Sequence, residues 1–175
     1  MKKLILVMLV AALMIPFAAF AEGEGAQEIP TAAIGETEFS FTNEQEYFDL
    51  KYLYPAEFEL EIKEEDDRVR YLHRYFPKDF IKPAVGLVIS RTNAYASPEE
   101  RLSDIAFIDQ VTTEEINGIP WVIGTDSDTS NSSVMIFSRA AGGYVYTFSF
   151  SSDYPEDFDY EAFARVFIQH VSDAE

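Results

Sequence analysis

Two dipeptides, Asn117-Gly118 and Gly142-Gly143, constrain the fold of this chain more than any other feature. Each lies between runs rich in aromatic and β-branched residues. Val111–Ile116 precedes the first and Ile119–Ile123 follows it; Val134–Phe137 leads to the second and Tyr144–Phe150 leaves it. A two-residue hairpin loop of the type I′ kind needs positive φ at both positions, which Asn-Gly and Gly-Gly supply at least cost. Such a loop makes its flanking strands antiparallel neighbours and sets their register. Counting outward from Gly142-Gly143 places Phe137 opposite Phe148 and Met135 opposite Phe150. Tyr144, Tyr146, Phe148 and Phe150 then share one face, with Val145, Thr147 and Ser149 on the other. Two hairpins in succession predict a four-stranded meander over 111–116, 119–125, 133–140 and 144–151.

The rest of the chain reads as strands followed by helices. Tyr47–Tyr54, ending at Pro55, has the aromatic content of a strand. Phe58–Ile62 and Val69–Tyr75 alternate in polarity about the acidic run Glu64–Asp67. A hairpin closed by that run predicts Ile62 opposite Val69, Leu60 opposite Tyr71 and Phe58 opposite His73, with Glu61 facing Arg70 and Glu57 facing Arg74 on the other side. Opposite charges across strands would help fix this register. Pro77–Pro83 reads as a loop. Ala84–Ile89 is apolar at both parities, as a central strand covered on both faces requires. Ser97-Pro-Glu-Glu100 opens a helix, with Ser97 as N-cap, Pro98 at the first position and Glu100 completing a capping box. Leu102, Ile105 and Ala106 give it an apolar face. Phe163, Val166, Phe167 and Val171 recur at helical spacing and predict a helix from about Asp159 to Val171. These elements define an α+β domain: an antiparallel sheet of about six to seven strands flanked by helices.

Residues 1–21 have the organisation of a secretion signal. Lys2 and Lys3 precede an apolar stretch, Leu4–Ile15, and Ala19-Phe-Ala21 fits the small-x-small cleavage rule. Cleavage after Ala21 is expected, leaving no membrane span and placing the chain in a secreted or extracytoplasmic setting. Residues 22–37, small and polar without periodicity, read as a flexible leader, and 38–175 as a single domain. The chain has no cysteine, so disulfides contribute nothing to it. With 31 acidic residues and 11 basic ones beyond position 21, the processed chain carries 20 net negative charges. A field of that sign repels phosphate backbones and anionic lipid, which argues against nucleic acid as a partner.

Little in the sequence looks chemical. Gly124-Thr-Asp-Ser-Asp-Thr-Ser-Asn-Ser-Ser133 begins like a calcium loop, with Asp126 and Asp128 at alternate positions. The glycine and bidentate glutamate that such a loop needs at its sixth and twelfth positions are replaced by Asn131 and Phe137. The segment therefore reads as a solvent-exposed connection between hairpins, with Asp126 and Asp128 in water and no metal assigned. His73 lies in an alternating strand and His170 near a helix end; both read as structural. Trp121 and the Tyr144/Tyr146 pair have the character of sugar-stacking residues, but aromatic burial between helix and sheet explains them as well. No nucleophile elbow, phosphate loop or dinucleotide fingerprint is present. No catalytic, cofactor-binding or metal-binding residue is assigned, and no cofactor is expected.

The order of motifs resembles the Mog1/PsbP-like family, in particular its bacterial extracytoplasmic members. The residues carrying the resemblance are Phe48–Pro55, ending in Tyr-Pro; the capped helix at Ser97; Ile116-Asn-Gly-Ile-Pro-Trp121; Gly143-Tyr-Val-Tyr-Thr-Phe148; and Ile168-Gln-His-Val-Ser172. It spans about residues 38–173. The resemblance implies an antiparallel sheet between helical layers, with no shared catalytic set, in proteins that act as binding or accessory factors. The expectation is a secreted, non-enzymatic module whose partner is a protein or another component of the cell envelope. Two alternatives stand beside it. One is a small secreted hydrolase dependent on carboxylates or a metal, with Asp126 and Asp128 as ligands. The other is a calcium-tuned adhesion protein.

Overall fold

The computed structural model describes residues 31–34, 37–56, 58–65, 69–77, 86–126, 133–152 and 159–174. The expected signal peptide, leader residues 22–30, Glu57 and Asp128 lie outside them. The strands are β1 (Thr31–Ile34), β2 (Thr37–Tyr47), β3 (Leu50–Pro55), β4 (Phe58–Glu65), β5 (Val69–Pro77), β6 (Gly86–Thr92), β7 (Gln110–Ile116), β8 (Ile119–Thr125), β9 (Ser133–Ala141), β10 (Tyr144–Ser152) and β11 (Val171–Asp173). The helices are α1 (Pro98–Ser103) and α2 (Tyr160–Gln169). A seven-stranded sheet runs in the order β4-β5-β6-β10-β9-β8-β7, and a four-stranded sheet in the order β1-β2-β3-β11. Every pairing is antiparallel.

The meander forms as its turn residues dictate. Asn117 and Gly118 have φ of 53° and 77°, Gly142 and Gly143 of 55° and 81°. Phe137 pairs with Phe148 and Met135 with Phe150. Thr125 pairs with Met135, so Gly124–Ser133 does connect adjacent antiparallel strands.

The β4–β5 hairpin differs from expectation by four residues. Glu61 faces Arg74 rather than Arg70, Ile62 faces His73 rather than Val69, Leu60 faces Tyr75 rather than Tyr71, and Phe58 faces Pro77 rather than His73. A shift of four conserves side-chain parity over Phe58–Lys63, so hydrophobic alternation does not distinguish the two registers there. The pairing is irregular between Lys63 and Glu65, where the ladder approaches the connection.

Three further expectations are corrected by the second sheet. Tyr47–Tyr54 is not one strand: the chain reverses at Phe48-Asp49, and β2 pairs with β3 from Tyr47–Leu50 onward. Part of the expected leader is a strand, since Thr31–Ile34 pairs with β2 opposite Thr37–Ser40. The C-terminal helix ends at Gln169, and Val171–Asp173 continues as β11 against Leu50–Tyr52. Val171 is buried, so its apolar character belongs to a strand beyond the helix.

Both helices begin on side-chain caps. Ser97 Oγ accepts from Glu100 N at 3.2 Å, and the Glu100 carboxylate accepts from Ala96 N at 2.8 Å, one residue before the position a strict capping box uses. Asp159 Oδ1 accepts from Ala162 N at 2.9 Å. The helix α1 is shorter than its sequence pattern; Leu102 is its buried residue, whereas Ala106 lies past its end and is exposed.

The helices cover opposite faces of the large sheet. On one, Leu102 of α1 packs with Val122 and Ile136, and Ile105, Ile108 and Val134 lie against them. On the other, α2 and the small sheet close an aromatic core. Phe58 and Phe163 stack at 5.0 Å, and Phe167 meets Phe150 edge-on at 5.5 Å. Burying each such ring contributes about 1.5–3 kcal/mol, and each favourable aromatic pair about 0.5–1.5 kcal/mol more.

Candidate functional site

Near the Gly142-Gly143 end of this covered face the large sheet carries charge. Strand register lines the residues up. Tyr146 on β10 pairs with Arg91 on β6 and with Arg139 on β9. The Val122–Ser138 pair brings Trp121 of β8 next to Arg139, and Trp121 pairs with Glu114 of β7. The result is a row across five strands: Arg91, Tyr146, Arg139, Trp121, Glu114. The β2–β3 turn and β11, both from the small sheet, reach this row.

Asp49 is tied to Tyr146 twice. The Tyr146 hydroxyl donates to Asp49 Oδ2 at 2.8 Å and accepts from Asp49 N at 3.3 Å. Burial, and then the Asp49 carboxylate, push the Tyr146 hydroxyl above the ordinary tyrosine range. Ala174 N donates to Asp49 O at 2.8 Å, adding the C-terminal segment to the same knot. A methyl group on Gly142 would overlap the Asp49 carboxylate, so the glycine is required there for space as well as for φ. Beside Asp49, Phe48 has φ of 57°, rare for an aromatic residue. Its ring lies 2.9 Å from the Arg91 guanidinium carbon, which also sits 4.3 Å from the Tyr144 ring.

Arg139 is 7 % exposed. It donates through Nη2 to Asp173 at 2.6 Å and lies 5.5 Å from the Trp121 ring. Arg139 Nε and Nη1, Arg91 Nε and Trp121 Nε1 are buried without a hydrogen-bond partner. The two guanidinium groups adjoin aromatic faces, whose negative quadrupole supplies part of what an acceptor would. Further along, Glu114 pairs with Arg165 of α2 at 2.9 Å. The cluster ties the two sheets together, and its hydroxyl and carboxylates are engaged with one another or with arginine. It offers no nucleophile paired with a free base.

The residues singled out in the sequence are not brought together. Asp126 is half-buried just beyond β8, less exposed than expected, and Asp128 lies outside the described residues. Among the described residues no group of three or more His, Asp or Glu side chains is placed to hold a metal ion. His73 lies in β5, between Ile62 and Ile89 in the register. His170 is the C-cap of α2, with its ring 5.5 Å from Phe41, and burial lowers its pKa. Trp121 and Tyr146 are fully buried and cannot stack on a sugar; Tyr144 is partly exposed. Sequence reading missed Asp49, Arg91 and Arg139. Arg139 had a visible signal: it continues the inward parity of Met135 and Phe137, so a charge was due at a core position.

Among the described residues no helix is long and apolar enough to cross a membrane. The two packed sheets and two helices define the α+β fold of PsbP-like proteins. Among solved structures, the solution structure of cyanobacterial PsbP (CyanoP) from Synechocystis sp. PCC 6803 is similar to this chain at a TM-score of 0.52 and 10% identity. The match covers 89% of this chain and 98% of that one. No protein-family model and no curated protein sequence matches the chain.

Proposed function

We propose that this chain is an exported, non-enzymatic binding or accessory module built on a PsbP-like domain, with a protein or another cell-envelope component as its partner. The observation that carries this reading is the use made of the polar groups on the covered sheet face. Tyr146 with Asp49 and Arg139 with Asp173 are engaged with one another and tie the two sheets together. The signal-like N-terminus and the acidic surface support export and solubility. The likeness to a solved PsbP supports the fold on which the module rests.

Chemical cross-linking of the chain in its native envelope, with purified chain assayed beside it, tests the reading. The expected result is one stoichiometric cross-linked partner and no turnover of ester, peptide or glycoside substrates. Turnover abolished by Asp126→Ala, or micromolar calcium binding lost in that variant, would overturn it in favour of the hydrolase or adhesion alternative.

A further inference from the structure

The strand β7 ends the large sheet, and no strand among the described residues pairs with its outer side. Six of its seven residues, Gln110–Glu115, are exposed. The pairing with β8 runs unbroken from Gln110–Thr125 to Ile116–Ile119. Edge strands are ordinarily blunted by proline, a bulge, lysine or a covering loop. Here the segment entering β7 passes over the face of β8, where Ile108 approaches Gly124, and leaves the edge open. Because Ile116 and Ile119 flank a two-residue turn, residues 110, 112, 114 and 116 bond to β8. Val111, Thr113 and Glu115 therefore turn their backbone N–H and C=O groups away from the sheet.

Two other observations mark the same edge. Of the three large apolar side chains exposed among the described residues, one is Val111 on β7 itself and another, Phe107, lies three residues before the strand. Strand β7 also carries Glu114 and Glu115 and no basic residue. Glu114 is held on the α2 side by Arg165, which anchors the strand; Glu115 stands on the opposite face with Val111.

We propose that β7 is a docking edge for an extended basic segment of another protein, which adds as an antiparallel eighth strand. This rests on the binding-module reading and names the partner's chemistry. The outward groups of Val111, Thr113 and Glu115 supply the ladder. A lysine or arginine opposite Glu115 and an apolar residue opposite Val111 supply the choice of segment. A second copy is disfavoured as occupant, because each chain carries a formal charge of −18 and self-pairing would bring four glutamates into one pair of strands.

The test uses the full chain and a blocked peptide, Thr-Lys-Thr-Val-Thr-Val-Thr, whose lysine meets Glu115 when it pairs antiparallel. Binding is followed by fluorescence anisotropy and by amide hydrogen exchange. Saturable binding is expected, with slowed exchange at Val111, Thr113 and Glu115. Thr113→Pro removes one outward donor while sparing the β8 ladder, and tenfold weaker binding or worse is expected. Glu115→Lys should weaken binding of the lysine peptide several-fold and prefer the same peptide with glutamate in that place, an inversion that misfolding does not produce. Equal binding by folded Thr113→Pro, no binding at millimolar peptide, or a concentration-dependent dimer protected at β7 would each overturn the proposal. Failure here beside a partner cross-linked through another face sinks the docking edge and leaves the module standing. Peptide binding together with enzymatic turnover does the reverse.

Discussion

The most constrained residues are the ones least suited to their backbone. Phe48 adopts a left-handed conformation and Asp49 follows it, yet neither is Gly or Asn. The turn persists because residues far along the chain hold it: Tyr146, 97 positions from Asp49, bonds its carboxylate and its amide, and Arg91 covers the Phe48 ring. Tyr146→Phe should therefore destabilise by about 1.5 kcal/mol, read as a lower urea midpoint at unchanged slope. The paired glycines separate two effects. Gly143→Ala loses only the freedom to adopt positive φ, a cost of about 1–2 kcal/mol. Gly142→Ala also drives a methyl group into Asp49 and should cost at least about 1 kcal/mol more. Equal midpoints for the two variants would show that Asp49 does not press on the turn. His170 adds a pH term. Burial lowers its folded-state pKa, so the unfolded chain takes up the proton first as pH falls. Its contribution is intact above the unfolded value of about 6.5 and is lost progressively below it. In parallel melts from pH 8 to pH 5, His170→Gln should lose less stability than the unsubstituted chain.

Elements in this chain are joined by residues that serve two at once. Asn117 turns the β7–β8 hairpin with positive φ, and its Nδ2 donates to Gln169 O at 2.8 Å, at the end of α2. That carbonyl belongs to the last turn of the helix, which has no backbone donor left for it. Asn117→Gly keeps the turn and loses the bond, for about 1 kcal/mol. Asn117→Asp keeps the preference for positive φ but sets a carboxylate against the carbonyl and the negative end of the helix. It should lower the melting temperature more than Asn117→Gly does, and the reverse order would refute the capping role. Elsewhere, local signals decided elements well. The cap at Ser97 and both glycine turns were legible because their chemistry acts within four residues. The Phe48-Asp49 turn was not, because what permits it is a tyrosine on another sheet.

The whole molecule is a strongly charged body around an aromatic core. Its formal charge of −18 sits on an exterior with few basic residues to offset it. Raising sodium chloride from about 0.02 M to about 0.2 M shortens the Debye length severalfold and should raise the melting temperature by a few degrees. An unchanged or lower value would mean that exposed pairs such as Lys51–Glu44 and Arg165–Glu161 outweigh the general repulsion.

Alternation and turn chemistry alone determined the meander, its register, both helix starts and the α+β class, because side-chain parity and positive φ are properties of adjacent residues. Those same signals left the β4–β5 register open, since a shift by an even number of residues conserves every face. They were silent on the second sheet. Residues 31–34 and 171–173 have weak strand character of their own and become strands where β2 and β3 offer an edge to pair with. The charged row was half legible, in the inward parity of Arg139, but its assembly was not. Arg91, Arg139 and Asp173 come from three strands and Asp49 from the β2–β3 turn, and only the packing of one sheet over the other brings Asp49 to Tyr146 and Asp173 to Arg139.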